Sequence, residues 1–185
     1  MTDNEMMIAI IEEIENQLEL VSFGVSGTDF EVGRNQQPTN QYTGSDSDDL
    51  VKTRIFLYSV TKGSDGHGRS YTPGENLTRT DFQQRSKSIQ VSVVHSFDET
   101  NINAKTPEDV TDLVHDLLDS PDAIKNLRDK DIFVQNVGDV RPIFFINDKD
   151  RNEQTPNFDL LVNYSSSITK TTGYVDVADS VVVGV

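Results

Sequence analysis

Between Phe82 and Phe97 the chain alternates with a period of two. Lys87, Ile89, Val91, Val93, His95 and Phe97 fall on one parity, and Ser86, Ser88, Gln90, Ser92, Val94 and Ser96 on the other. Successive side chains of a strand point to opposite faces, whereas a helix would scatter these apolar residues around its axis. The run predicts a long strand with one apolar and one largely hydroxylated face, in a sheet that is wet on one side or turned to a polar partner. A second run, Leu50–Val60, places Val51, Thr53, Ile55, Leu57 and Ser59 on one face and Lys52, Arg54, Phe56, Tyr58 and Val60 on the other. Apolar residues in the middle of both faces predict cover on both sides there. The economical arrangement pairs the two runs as an antiparallel hairpin. Between them, Thr61–Thr80 holds four glycines, one proline and mixed charges. That is too long for an ordinary hairpin turn, so it is expected to be an extended loop, an arm able to contact a neighbour.

Helical signals flank these strands. Thr106-Pro107-Glu108-Asp109 reads as a helix start: a threonine cap, proline at the first helical position and acids at the positive end of the dipole. Val110, Leu113, Val114, Leu117 and Leu118 then recur on one helical face. Ser120-Pro121 breaks and restarts the helix, and Ala123, Ile124 and Leu127 line a second short one. Near the amino end, Asp3 or Asn4 is expected to cap a helix running to about Glu19. Its apolar stripe is Met7, Ile10, Ile11, Ile14 and Leu18, with Glu12, Glu13 and Glu15 off it. A turn at Phe23–Gly27, a short strand at Phe30–Val32 and a polar loop at Arg34–Asp49 follow.

After the helices come short strands at Ile132–Val137 and Val140–Phe145, a charged loop at Ile146–Pro156 and a strand at Phe158–Ser165. Gly173–Val185 is β-branched and reads as extended. The fold class is α+β: a mixed, mainly antiparallel sheet flanked by helices, in a single domain over residues 1–185. Residues 61–80 form its extended loop and 168–185 its extended C-terminal tail.

The formal charge is −15, from 31 acidic and 16 basic residues. Such a chain repels nucleic acid instead of gripping it. With no cysteine, disulfides and thiolate metal sites are excluded. The acidic start Met1-Thr2-Asp3-Asn4-Glu5 is unlike a signal peptide, and no apolar run is long enough to span a membrane. Synthesis in a reducing cytoplasm without export by a standard N-terminal signal is the expectation, so the glycosylation sequons at Asn76 and Asn163 carry no weight.

Catalytic chemistry finds little support. Asp148, Asp150, Asn152 and Asp159 partly mimic the oxygen spacing of a calcium loop. Glu153 stands where that loop needs glycine, Pro156 interrupts, and a strand follows instead of a helix. His67, His95 and His115 are scattered, with His115 off the apolar face of its helix, and none sits at ligand or triad spacing. Gly63–Gly68 is not followed by the lysine and helix of a phosphate-binding loop. The expectation is no catalytic residue, no metal, no cofactor and no enzyme. The informative polar feature is the row Glu108, Asp112, Asp116 and Asp119. Like charges at this spacing cost a helix a few tenths of a kcal/mol per pair, and a monomer gains nothing evident from them. They read as a solvated face or as a wall presented to a polyanion.

From Asp122 onward the order of features resembles a known family. Ala123-Ile124-Lys125-Asn126-Leu127-Arg128 precedes Ile132-Phe133-Val134-Gln135-Asn136-Val137-Gly138-Asp139-Val140-Arg141. A polar loop then leads to Gln154-Thr155-Pro156-Asn157-Phe158-Asp159-Leu160-Leu161-Val162-Asn163-Tyr164. This is similar to the C-terminal half of bacteriophage neck or tail terminator (tail completion) proteins. Gln36-Gln37-Pro38, the strands at Leu50–Val60 and Ser86–Phe97 and the Gly173-Tyr174 tail fit the same plan. The chain departs at Gln154–Asn157, where the family often carries a glutamate-proline-arginine stretch, and in the length of the insert at Thr61–Thr80.

The resemblance implies a structural virion protein at the head–tail junction. It implies a homohexameric ring that caps the head-proximal end of the tail tube and meets the neck or connector (stopper) protein and, in contractile tails, the sheath. DNA would pass through the lumen without specific binding, no membrane would be involved, and Glu108, Asp112 and Asp116 would be the lumen-facing acids. Two other classes compete. An acidic adaptor or DNA-mimic inhibitor would act as a monomer or dimer, and a carboxylate–metal hydrolase would need Asp148 and Asp150.

Overall fold

The computed structural model describes residues 1–34, 53–72, 77–95, 103–146 and 152–172. In chain order the elements are α1 (Asp3–Leu20), β1 (Phe30–Arg34), β2 (Thr53–Thr72), β3 (Leu77–His95), α2 (Pro107–Leu118), α3 (Pro121–Asp129), β4 (Ile132–Val137), β5 (Phe144–Ile146), β6 (Asn152–Gln154) and β7 (Asn157–Thr172). A five-stranded sheet has the order β1-β2-β3-β7-β4, and β5 and β6 form a separate two-stranded ribbon. β1 runs parallel to β2, and the other pairs of the main sheet are antiparallel. The expected α+β class, with its mixed, mainly antiparallel sheet and flanking helices, is what forms.

The core follows the parity of β3. Ile89, Val91 and Val93 are fully buried. Their register partners are Ile55 and Leu57 on β2 and Phe158 and Leu160 on β7. Register partners share a face, and on this face lie the buried residues of the helices: Met6, Met7, Ala9, Ile10, Ile14 and Leu18 of α1, Val110, Val114 and Leu118 of α2, and Leu127 of α3. Burial of each such side chain contributes roughly 1.5–3 kcal/mol. The opposite face is more open. Arg54, Phe56 and Tyr58 are half-buried, and the Phe56 and Tyr58 rings lie 6.4 Å apart and cover each other. That pair accounts for the apolar residues on both faces of β2, which the sequence suggested would lie under a layer on each side.

The helix caps are local and follow the sequence closely. Thr106 accepts from Asp109 N at 3.2 Å, while the Asp109 carboxylate accepts from Thr106 N at 2.8 Å. Ser120 caps α3. At α1 the cap is Thr2, paired reciprocally with Glu5, which frees Asp3 for another use. Glu13, expected off the apolar stripe, is 2% exposed. Met6 and Ala9 widen the buried face, and Glu13 Oε1 accepts from Gln17 Nε2 at 2.8 Å and from Asn126 Nδ2 at 3.0 Å, tying α1 to α3.

The largest departure from expectation is at Thr61–Thr80. It is not a loop. β2 continues to Thr72 and β3 begins at Leu77, paired from Thr61↔Ser88 to Thr72↔Thr78. The glycines serve the ladder. Gly66 has φ +72°, at a register shift between Asp65 and Gly68. A Cβ on Gly63 would meet Ser86 Oγ at 2.5 Å. β7 likewise runs past Ser165 to Thr172, pairing with β3 along its whole length. Residues 168–172, expected as tail, are therefore strand. Residues 173–185 lie outside the described residues, as does the expected loop at 35–49 apart from Arg34. The strand expected at Val140–Phe145 shrinks to β5, with Arg141 making an isolated bridge to Asn157.

Candidate functional site

The predicted acidic face of α2 forms. Val110, Val114 and Leu118 turn inward, leaving Glu108, Asp112 and Asp116 exposed on the outer side of the helix. Partial burial, then the charges of Glu108 and Asp116, push the Asp112 carboxyl above its ordinary pKa. Among the described residues no lysine or arginine forms an ion pair with these three. Their polar neighbours are Gln154, whose Nε2 donates to Glu108 Oε2 at 3.0 Å, and His115, whose Nδ1 lies 3.2 Å from Asp116 Oδ1.

Two of the histidines meet neighbouring side chains. The His115 ring stands edge-on to Phe158 at 5.4 Å, closer to the core than its helical position suggested. His95 Nδ1 lies 2.7 Å from Thr53 Oγ1. The candidate cation residues Asp148 and Asp150 fall outside the described residues, while Asp159 accepts an ion pair from Arg141 Nη2 at 2.8 Å. Among the described residues, no group of three or more histidines and acids is placed to hold a metal ion. No described helix is long and apolar enough to cross a membrane.

A second surface was not anticipated. Beyond Leu57, β2 has no partner on its β1 side, and beyond Tyr164, β7 has none on its β4 side, among the described residues. The distal parts of β2, β3 and β7 thus form a three-stranded arm, reaching about 30 Å from Lys62 to Thr72 at the usual strand rise. Its residues 61–72, 77–86 and 165–172 carry five cations and two carboxylates, in a chain of net charge −15.

The register sorts these charges. Lys62 pairs with Lys87, and Asp81 with both Arg69 and Ile168. Arg79 pairs with Tyr71 and Lys170, and Arg85 with Tyr164. These residues share the parity of Ile89 and so lie on the face that carries the helices, whereas Asp65 pairs with Gln84 and has the opposite parity. The other face is hydroxylated: Thr61, Ser70, Thr80, Ser86, Ser88, Ser165, Ser167, Thr169 and Thr171 share it, and Thr80 Oγ1 lies 3.2 Å from Thr169 Oγ1. Sequence reasoning could have found the cationic row by carrying the parity of Ile89 back through Lys87 and Arg85 to Arg79.

At the base of the arm the first turn of α1 meets this row. Asp3 takes Lys62 Nζ at 2.8 Å, Arg85 Nη1 at 3.2 Å and Lys87 Nζ at 3.6 Å, and accepts a hydrogen bond from the Tyr164 hydroxyl. Burial alone would raise the Asp3 pKa. The bonds from Lys62 and Tyr164 and the charge of Lys87 outweigh it and hold the carboxyl well below the usual range. Burial pushes the Lys87 ammonium down, and burial together with the Asp3 bond pushes the Tyr164 phenol up to about 12. Farther out, Arg79 grips Asp81 with two bonds of 2.9 and 2.7 Å, and Arg69 Nε adds a third at 3.0 Å. These arginines bring Asp81 down to about 2. Tyr71 and Ile168 are more than half exposed on the same face.

What the sheet, the acidic helix and the arm belong to is decided by comparison with known families. A family model described as E217 gateway protein gp29 matches residues 5–174, from the first helix through the end of β7. The chain belongs to the E217 gateway protein gp29 family. This is a phage neck and tail-connector family. The resemblance to tail terminators therefore holds at that coarser level, and the gateway match does not single out the terminator role. No curated protein matches the chain closely enough to count as a relative. The gateway match takes in both surfaces described above, the α2 face and the arm.

Proposed function

We propose that this gateway-family chain is a structural subunit of the phage neck. Copies assemble into a hexameric ring at the head-proximal end of the tail tube, and the ring joins the tube to the connector while DNA passes through its lumen. The observation that carries this reading is the family match across residues 5–174. The terminator-like order of elements from Ala123 to Tyr164 supports the ring and the tube contact.

In this reading Glu108, Asp112 and Asp116 line the lumen. Each phosphate contact made by a basic group would add a salt-sensitive grip on passing DNA. A wall of carboxylates without paired cations avoids it, and the net charge of −15 extends the effect to the subunit as a whole. The tube protein, the connector protein and the sheath of a contractile tail are the proposed neighbours.

Two measurements test the reading together. Native mass spectrometry of the purified chain should show a hexamer. Immunogold labelling of phage particles should place the chain at the head–tail junction. A protein absent from particles and monomeric or dimeric in solution would overturn the proposal in favour of an acidic adaptor.

A further inference from the structure

We propose that the helix-side face of the arm is the docking surface for a second copy of the chain, which lays the outer stripe of its α1 along it. The inference rests on the ring reading and names one of its contacts.

Three observations carry it. First, the sheet outruns its own helices. α1 begins beside Lys62, Arg85 and Lys87, and beyond that point the same face goes on through Arg69, Tyr71, Arg79, Ile168 and Lys170 with no helix on it among the described residues. Among the described residues nothing lies where a helix would sit on it.

Second, the charges on this open face are unbalanced. Arg79 and Lys170 are direct cross-strand partners, a juxtaposition that is destabilising by itself. Asp81 answers Arg79 and Arg69. Lys170 has no acidic partner among the described residues. An anionic surface laid over the strip would relieve the repulsion.

Third, the described residues present a surface that matches in both charge and apolar content. On the outside of α1, Glu5, Ile8, Glu12, Glu15 and Glu19 recur at helical spacing, and Ile8 is 44% exposed in their midst. An interface needs an apolar centre with a polar rim. Ile8 supplies the centre to match Tyr71 and Ile168, and the glutamates answer Arg69, Arg79 and Lys170. Lys130 already meets Glu12 at 3.1 Å, and Ser26 meets Glu15 and Glu19, all at exposed or half-exposed positions. The acidic row of α2 has no comparable exposed apolar residue between its carboxylates, so it fits the arm less well.

The test is a charge swap read by native mass spectrometry, with circular dichroism to confirm folding. Arg79→Glu with Lys170→Glu on one side, or Glu12→Lys with Glu19→Lys on the other, should each weaken assembly by at least roughly tenfold. Mixing the two variants should restore mixed rings. Because a double reversal can disturb folding, the wild-type chain gives an independent readout. Zero-length carbodiimide coupling should join Lys170 of one copy to Glu12 or Glu19 of another. Rings that persist through both reversals, or Lys170 coupling to Asp112 or Asp116 instead, would overturn the docking proposal and leave the ring intact. A wild-type chain that stays monomeric would overturn both.

Discussion

Arg79 on β3 and Lys170 on β7 stand directly opposite each other, two cations in one register on the face of the arm that no helix among the described residues covers. Directly opposed like charges work against the sheet by a few tenths of a kcal/mol. Lys170→Glu should therefore leave the melting temperature of the unassembled chain unchanged or slightly higher, while weakening assembly. Thermal melts run beside native mass spectrometry separate the two effects. A variant that loses stability and assembly together would point to an ordinary structural role for Lys170.

Asp3 holds the base of the arm to α1, and its value lies below the ordinary 3.8. The sign follows from linkage: a carboxyl depressed in the folded state stabilises fully above its unfolded pKa and loses that contribution as pH falls through its folded value. Stability should begin to drop below about pH 4. Asp81, brought down to about 2, contributes in the same direction. Asp3→Asn should flatten this acid limb. It should also cost about 2 kcal/mol at neutral pH, because Lys87, 3% exposed, keeps its charge without a full partner. Urea denaturation across pH 2–7 checks both effects, and an unchanged acid limb would refute the assignment.

Tyr164 makes the complementary case at high pH. Its phenol is pushed up to about 12 by burial and the Asp3 bond. A folded value above the unfolded one means that stability is complete below pH 10 and is lost as pH rises through 12. Ultraviolet titration should show one of the five tyrosines ionising last. Tyr164→Phe should remove that late step.

Reversal of the α2 face offers a functional test. Glu108→Lys, Asp112→Lys and Asp116→Lys together exchange one row of like charges for another at i,i+4 spacing. A cation at position 108, in the first turn of α2, opposes the helix dipole, so the helix should be slightly less stable and circular dichroism accompanies the test. If the face lines the lumen, phage carrying the variant should eject DNA more slowly, and the deficit should shrink as salt rises. Ejection kinetics equal to wild type would sink the lumen assignment.

Gly66 tests whether the arm is a local unit. Its φ of +72° is left-handed, so Gly66→Ala adds strain of about 1–2 kcal/mol. Hydrogen exchange should speed up at amides between Lys62 and Arg85, with the β3 amides of Ile89–Val93 unaffected. Uniform acceleration throughout the chain would show the arm to be cooperative with the core.

How much of this was legible depended on whether the determinant was local. The Thr106–Asp109 capping box and the Ser120 cap involve neighbours in sequence and could be read directly. So could the parity of Ile89, Val91 and Val93, because one face of that strand is buried and the other is wet. The arm could not be read in the same way. Among the described residues both its faces meet solvent, so Thr61–Thr72 has no apolar alternation to mark it as strand, and its three glycines, followed in sequence by Pro73-Gly74, read as a loop. It is a strand because β3 pairs along it. Glu13 was misassigned for a related reason: its partner Asn126 lies on another helix. The acidic face of α2 needed only helical spacing, but the cationic face of the arm needed the register.

The parity of the arm also bears on how such a neck part can change over generations. A strand repeats every two residues, so removing or adding a pair on each of β2, β3 and β7 would alter its reach and leave every cation on the same side. A single-residue change would turn the charged side into the hydroxylated one. Length is thus free to drift in even steps, while the chemistry of each face stays as it was.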